Sequence, residues 1–275
     1  MQPAARADHH KMKLTLLAAF LVAVARGHAQ SNAIANGSFE VYLRPPALWT
    51  APSNGDYGIP PGDTNIAGWS VINGPVAYVR VWPAASGISS IDLSGDGNPV
   101  SGGVARSVQT QTGGKYIFSF HISGNPGTSF PRDPSEKRLS VRIGEVQQVF
   151  SYDTAVEQNT FGNMKWRQNQ ILYLASTNLT RIELVNVMGT NLTGPVIDNI
   201  ILQECVPPTL SIQPVGTNVV VSWPDGVCPV VLEWSSVVGV GALWQTNSLP
   251  PAHVGGRSLT TNVISTTQFF RLRLQ

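Results

Sequence analysis

The chain has 275 residues and a formal net charge of +2, and 12% of its residues are charged, about half the share in an average soluble domain. Its 26 glycines and 20 prolines indicate many turns, while 42% hydrophobic residues can build a core, which excludes disorder as the main state. Residues 1–29 hold four cations and one anion, so the remainder has a net charge of −1. Without excess positive charge, the chain lacks the electrostatic basis for binding nucleic acid or anionic lipid.

The first segment has the pattern of an export signal. Two lysines precede an apolar run over residues 14–25, and the small residues Gly27 and Ala29 occupy the −3 and −1 positions of a signal peptidase site. We predict a signal peptide over residues 1–29, with cleavage before Gln30. The apolar run is shorter than the roughly 20 residues that a membrane-spanning helix needs. We therefore expect a secreted, periplasmic or cell-surface protein, without membrane insertion after cleavage.

The two cysteines of the chain are Cys205 and Cys228. In an oxidising compartment, an isolated pair favours a disulfide over a metal site, which would need more ligands. We therefore predict a bond between them.

Most apolar segments after the leader alternate with a period of two, which is typical of strands. In residues 115–122, four large side chains share one face and the residues between them share the other. Few helices are expected, and many short strands joined by Gly, Pro and Asn turns predict an all-β sandwich. The other predicted strands of this part are residues 76–81, 139–143, 171–174, 181–187 and 196–202.

A boundary is predicted where two prolines follow the last of these strands. The proline pair stops the ladder and stiffens the chain, so residues 30–203 form the first domain and residues 204–208 a linker. Residues 209–275 are long enough for a small second β-sandwich. Its predicted strands are residues 219–223, 230–234 and 268–274.

The sequence offers little material for catalysis. After the leader, only His121 and His253 remain, and they lie in different predicted domains, which disfavours a zinc site or a Ser-His-Asp triad. We therefore predict that the protein is not an enzyme. A polysaccharide hydrolase stays open as a lesser alternative, because spacing in sequence does not give the distance between two carboxylates. The acidic pairs that could serve are Asp92 with Asp96, and Asp133 with Glu136.

The order of short motifs along the chain points to a family. The motifs are residues 36–40 (NGSFE), 66–69 (IAGW), 76–82, 87–95, 109–120, 122–126 and 194–200 (GPVIDNI). Together they resemble the choice-of-anchor C family, bacterial exported relatives of a plant cell-wall family of unknown function (DUF642), over about residues 32–203. The resemblance implies a galactose-binding-like jelly roll. Members often carry a C-terminal anchor, whereas this chain has a second β module, which is the candidate for tethering.

The resemblance also implies a metal site. In sugar-binding jelly rolls, a carboxylate from an N-terminal motif and one from a C-terminal motif help to hold a structural calcium ion. The matching residues are Glu40 and Asp198. Calcium takes six to eight oxygen ligands, so backbone carbonyls would have to complete the shell. The alternative is that both carboxylates accept hydrogen bonds from backbone amides.

Aromatic side chains are the usual platforms for sugars. A Pro/Gly-rich segment over residues 44–64 contains Trp49 and Tyr57, and Trp82 follows a predicted strand. We predict these three as ligand-binding residues, with coverage of the sandwich edge as the alternative. Core positions are expected instead for Trp69, Trp223 and Trp234.

These observations favour an exported, non-catalytic protein that binds cell-wall or extracellular polysaccharide through a jelly roll. Structural calcium is the candidate cofactor, with backbone capping by Glu40 and Asp198 as the open alternative. A structural or adhesive cell-surface protein without sugar binding is the main alternative.

Overall fold

The computed structural model describes residues 32–43, 55–95, 101–127, 133–188, 193–226, 228–263 and 266–275. The predicted signal peptide, Trp49 and Asp96 lie outside these residues. Within the described ranges, no helix is long and apolar enough to cross a membrane.

The described residues between 56 and 204 form eleven strands and one short helix. They are β1 (Asp56–Ile59), β2 (Ser70–Asn73), β3 (Val76–Val79), β4 (Ser90–Asp92), β5 (Gly102–Gln109), β6 (Lys115–Gly124), β7 (Glu136–Ile143), β8 (Val146–Asp153), α1 (Thr154–Glu157), β9 (Arg167–Leu174), β10 (Leu179–Asn186) and β11 (Pro195–Glu204). Every strand predicted from the period-two pattern in this region is confirmed, although the ends differ by a few residues.

The strands form two antiparallel sheets that face each other as a jelly-roll sandwich. The six-stranded sheet has the order β1-β3-β4-β11-β6-β9, and the five-stranded sheet has the order β2-β5-β10-β7-β8. Alternate side chains of each strand point between the sheets, so the alternation predicted for β6 is confirmed by Phe118 and Phe120, both fully buried. Trp69 lies in the same core, as predicted, with 2% of its surface exposed.

Seven further strands follow. They are β12 (Ser211–Val215), β13 (Asn218–Pro224), β14 (Val230–Ser235), β15 (Gln245–Thr246), β16 (Ala252–Val254), β17 (Arg257–Val263) and β18 (Phe269–Leu274). They form a four-stranded sheet of order β12-β13-β17-β16 and a three-stranded sheet of order β15-β14-β18. Between these sheets lies a small core around Val221, Trp223 and Leu232, while Trp234 is only half-buried. The predicted all-β architecture of a jelly roll followed by a small sandwich is thus confirmed.

The predicted disulfide joins the end of the first sandwich to the second. Cys205 follows β11 and is bonded to Cys228, which precedes β14. The sulfurs pack with Ile117 of β6 and with Leu274 of β18. Lys115 also donates through Nζ to the backbone oxygens of Leu274 and Gln275, at 3.3 and 2.6 Å. The last strand of the chain therefore contacts the outer face of the six-stranded sheet.

Candidate functional site

Glu40 and Asp198 lie on either side of one loop, which follows β3. Glu40 Oε1 accepts hydrogen bonds from the backbone N–H groups of Ile88 and Ser89, each at 2.9 Å. Asp198 Oδ2 accepts from the N–H group of Ser86 at 2.8 Å. The structure therefore brings the two residues together, and the contacts that it shows are those of the backbone-capping alternative.

A bulge in β11 directs Asp198 away from the main core. The pairing of β11 with β6 shifts between Asp198 and Ile201, and Asn199 between them has a φ of 49°. Ile197 and Ile200 on either side point into the core, so the carboxylate is left on the outer face beneath the loop. There it is fully buried.

Burial is the main electrostatic feature of this pair. Burial of Asp198, with a smaller contribution from the charge of Glu40 and opposed by N–H donors such as that of Ser86, raises the pKa of Asp198 to about 7. Two neighbouring carboxylates supply the hard oxygen donors that calcium prefers. Among the described residues, however, no third histidine, cysteine or acidic residue joins them. The donor chemistry fits calcium, but the side chains supply only two of its ligands.

The aromatic candidates do not form one surface among the described residues. Trp82 is only 6% exposed, and its indole Nε1 donates to Ser90 Oγ at 2.9 Å. It packs in a small cluster on the outer face of the six-stranded sheet, beside Phe161 at 5.9 Å. Tyr57, by contrast, lies on edge strand β1 opposite Tyr78 and is 38% exposed. The burial of Trp82 favours the alternative, in which it covers the sandwich, over a ligand-binding role.

A different surface, which the sequence analysis missed, lies on the outer face of the five-stranded sheet. A shallow cavity of about 170 Å³ opens there between β7, β8 and β10. Its lining consists of Ser140, Arg142, Gln147, Glu183, Val185 and Val187. We call this cavity the sheet groove. The signal that could have revealed it is the other half of the β7 alternation, where polar residues 136, 138, 140 and 142 share the face opposite the core.

The sheet groove combines a polar row with an apolar row. Arg142 lies opposite Glu183 on one side and opposite Gln147 on the other. Beside this polar row, the side chains of Ile72 and Val185 lie against Gly103. A Cβ on Gly103 would lie 3.2 Å from Ile72 Cγ1 and 2.9 Å from Val185 Cγ2. The next row on this face of the sheet runs across the strands and consists of Ile72, Gly103, Val185, Ser140 and Val149.

Hydrogen bonds hold several polar side chains of the groove in place. Gln147 donates through Nε2 to Ser140 Oγ at 2.9 Å, and Arg181 donates through Nε to Glu183 Oε1 at 2.7 Å. Arg142 is exposed and contacts the backbone oxygen of Gly144 at 3.4 Å. The groove therefore presents fixed donors and acceptors next to an exposed guanidinium group.

One described residue of each acidic pair considered for hydrolysis makes structural contacts. Asp92 is 2% exposed, and its carboxylate accepts from Asn125 Nδ2 at 2.7 Å and from the N–H group of Ser94 at 2.9 Å. Burial raises its pKa to about 7. In the other pair, Asp133 accepts from Thr193 through both N–H and Oγ1. These contacts support the folded chain near the ends of the strands.

A serine, a histidine and an aspartate also meet in the second sandwich, although the sequence did not indicate it. Asp225 Oδ1 lies 3.2 Å from His253 Nδ1, and Ser258 Oγ lies 3.1 Å from the same ring nitrogen. A catalytic triad instead uses opposite ring nitrogens, so that one binds the acid while the other takes the serine proton. Ser258 here donates to Asp225 directly at 2.6 Å. This arrangement is a hydrogen-bonded cluster without triad geometry.

Comparisons with solved structures find carbohydrate-binding modules and other proteins at low similarity. TmCBM61 in complex with β-1,4-galactotriose is 14% identical with a TM-score of 0.40, and the match covers 64% of this chain and 99% of that one. A tailspike protein domain of bacteriophage CBA120 is 13% identical with a TM-score of 0.38, covering 63% and 21%. CBM35 from Cellvibrio japonicus Abf62 is 16% identical with a TM-score of 0.31, covering 44% and 77%. Scores this low carry over neither a ligand nor an activity.

A search of curated proteins finds no match. A family model does match, and its description is "Protein of unknown function (DUF642)" over residues 32–203. That range covers the whole jelly roll and more than half of the chain. The narrower assignment to the choice-of-anchor C group stays a prediction. Because the match includes every motif on which the resemblance rested, the chain belongs to the DUF642 family.

Proposed function

We propose that the protein binds an extended polysaccharide in the sheet groove and that it is not a catalyst. The observation that carries this proposal is the pairing of a polar row with an apolar row on one face of the five-stranded sheet. Sugars present hydroxyl groups at their edges and C–H groups on their ring faces. A site for them needs a few fixed polar groups beside apolar surface.

The dimensions of the sheet favour a chain over a single sugar. Five strands spaced by about 4.8 Å span about 19 Å, which suits an oligosaccharide lying across the strands. Glu183 and Gln147 are both held by neighbouring side chains, so a ligand would not bear the full entropic cost of ordering them. Arg142 can donate two parallel hydrogen bonds to adjacent hydroxyl groups or to a carboxylate on the sugar.

Calcium forms a second part of the proposal. Glu40 and Asp198 would hold it beside the loop that follows β3, with backbone carbonyls completing the shell. The burial of Asp198 supports this assignment, because a divalent cation would offset the cost of ionising its carboxyl group. Its role would be to fix the loop and not to take part in chemistry.

Export is a third part of the proposal. The Cys205–Cys228 bond supports an oxidising compartment, since structural disulfides persist outside the cytosol. A secreted, periplasmic or cell-surface location is consistent with a polysaccharide ligand.

The decisive experiment is a binding screen of the full chain against soluble polysaccharides by calorimetry, with calcium and with a chelator. We expect saturable binding to at least one of them. Gln147→Ala should weaken it about tenfold, the equivalent of one or two hydrogen bonds. The matched control is Gln148→Ala, because Gln148 is also exposed but lies on the opposite face of β8. Equal affinity for both variants would contradict the groove.

Two further outcomes separate the remaining alternatives. Weakened binding in Tyr57→Ala with an unaffected Gln147→Ala variant would move the site to the edge of the six-stranded sheet. No binding to any polysaccharide by the folded chain would favour the adhesive alternative, in which the protein contacts other proteins.

A further inference from the structure

The second sandwich carries an exposed apolar loop that none of the preceding functions uses. It connects β14 to β15, and its exposed fractions are 54% for Val237, 67% for Val238, complete exposure for Val240 and 82% for Leu243. We call these four residues the apolar tip. Exposed valines and leucines gathered on one loop are unusual on a protein that meets only water.

The chain around the apolar tip is free of charge. No lysine, arginine, aspartate or glutamate occurs from residue 234 to residue 256. Two glycines of the loop, Gly239 and Gly241, have φ of 110° and 87°, and a Cβ at either would meet nothing within 4 Å. The backbone at these positions is therefore open to solvent. Nothing in this stretch would have to lose a hydrated charge on entering an apolar environment.

Below the apolar tip along the sheet lie one tryptophan and two arginines, and we call these residues, Trp244, Arg271 and Arg273, the collar. Trp244 ends the loop, and the Arg271 guanidinium lies 4.2 Å from the centre of its ring. The strand register places Phe269, which is 36% exposed, beside Ser235 at the base of the same loop. Apolar residues thus occupy the end of the sandwich, with tryptophan and arginine next along the sheet.

The exposed charges of the collar are of one sign. Glu233 lies beneath Arg271 and Arg273, which bind its two carboxylate oxygens at 2.8 and 2.6 Å. Its own surface is 5% exposed, whereas the two arginine side chains are 46% and 52% exposed. The arginines are therefore held in fixed positions while still facing solvent. This patch is complementary to an anionic surface.

We propose that the apolar tip inserts into the interface of an anionic lipid bilayer while the collar contacts the headgroups. Apolar side chains of peripheral proteins enter the region between headgroups and acyl chains, tryptophan favours that interface, and arginine is attracted to anionic lipid. The chain as a whole has too little positive charge for such binding. Arg271, which stacks on Trp244 at the end of the loop, supplies a cation beside the tip, and Arg273 lies two residues further along β18.

This arrangement gives the second sandwich a tethering role that is independent of sugar binding. The tip lies at the Phe269 end of β18, and the contacts with Lys115 lie at its Leu274 end. Contact with a bilayer at the first end therefore leaves the second end joined to the jelly roll.

The test is co-sedimentation of the full chain with vesicles of phosphatidylcholine alone and of phosphatidylcholine mixed with phosphatidylglycerol. We expect binding to the mixed vesicles, weakened by added salt. The double variant Val240→Asp/Leu243→Asp should lower the bound fraction by about tenfold or more, because it places charges in the apolar tip. Arg273→Gln should reduce binding about fivefold by removing one cation.

The matched control is Val263→Asp, because Val263 is 71% exposed at the end of β17 and is not part of the tip. It should bind as the unchanged chain does, and its thermal unfolding should match that of the unchanged chain and of the tip variant. Arg273→Gln removes a partner of the buried Glu233 and should unfold at a lower temperature, so its vesicle binding is measured where it is still folded. Absence of vesicle binding, or equal binding to both vesicle types, would overturn the proposal. So would self-association without vesicles that the tip variant abolishes, since the tip would then contact a second copy of the chain.

Discussion

The two sandwiches of this protein are stabilised in different ways. In the jelly roll, 28 of the described residues form one continuous buried core, many of them large and fully buried. The second sandwich has three buried core residues among those described, and five more that are only partly buried. It gains a disulfide and contacts between its last strand and the jelly roll. A domain of this size has too little interior to rely on burial alone, so covalent and docking contacts carry more of its stability.

The largest effect should come from removing a core side chain of the jelly roll. Phe118 is fully buried and packs against Phe120 at 5.8 Å between ring centres. Phe118→Ala should lower the free energy of unfolding by about 3–5 kcal/mol, because it leaves a cavity. Urea unfolding followed by hydrogen exchange of the two sandwiches would measure it. If the second sandwich lost protection to the same extent, the two regions would form one cooperative unit and the comparison would fail.

Acidification should affect the two sandwiches in opposite directions. Burial raises the pKa of Asp198 to about 7 in the folded state, so the folded state binds more protons than the unfolded state between about pH 4 and 7. Jelly-roll stability should therefore fall as pH rises through that window, by at most about 4 kcal/mol for this residue. Unfolding temperatures in chelator should show this slope, and Asp198→Asn should reduce it but not abolish it, because burial also raises the pKa of Asp92 to about 7.

Glu233 should make the stability of the second sandwich depend on pH in the opposite direction. Its hydrogen bonds with Arg273 hold its pKa below the ordinary value of 4.5. The stability that it contributes is present above that value and is lost as pH falls through the lowered folded value. Glu233→Gln should therefore remove part of the acid sensitivity of the second sandwich only.

Calcium at pH 7 should raise the unfolding temperature of the jelly roll alone, and no change on chelation would contradict the proposed ion.

Removal of the disulfide should affect mainly the second sandwich. Closing a loop of this length stabilises a fold by about 3 kcal/mol in the chain-entropy model. The double variant Cys205→Ala/Cys228→Ala should lose about that much in the unfolding of the second sandwich. Limited proteolysis would then cut residues 209–275 first, whereas equal cleavage of both regions would show that the bond supports the whole chain.

The smallest change in stability is expected for the sheet groove. Gln147 is exposed, so Gln147→Ala should leave the unfolding free energy of either sandwich within about 0.5 kcal/mol. Its effect on polysaccharide affinity would therefore report on binding and not on folding. A larger loss of stability would show that its hydrogen bond to Ser140 supports the sheet.

Much of the fold could be predicted because alternation is a local property. The pattern of residues 115–122 placed Phe118 and Phe120 on one face, and the structure buries both. The proposed binding surface was harder to predict, because it depends on which strands become neighbours. Arg142, Gln147 and Glu183 lie on three strands, and only sheet pairing brings them into one row.

The aromatic candidates illustrate the same limit. The sequence that follows Trp82 is typical of a turn, yet a later segment with Phe161 and Met164 packs against its side chain. Exposure is decided by segments distant in sequence, so composition around a tryptophan does not determine it. The apolar tip was missed for the converse reason, since its valines have the composition of a buried strand but lie on an exposed loop.

The sequence by itself determined the all-β class, the restart after the proline pair, the pairing of the two cysteines and the family of residues 32–203. These depend on local periodicity, on the count of cysteines and on motif order. Tertiary structure alone decided that Glu40 and Asp198 hold the same loop, that polar side chains of β7, β8 and β10 form a groove, and that Arg271 stacks on Trp244. Each of these joins residues far apart in the chain, and strand order and register set their distances.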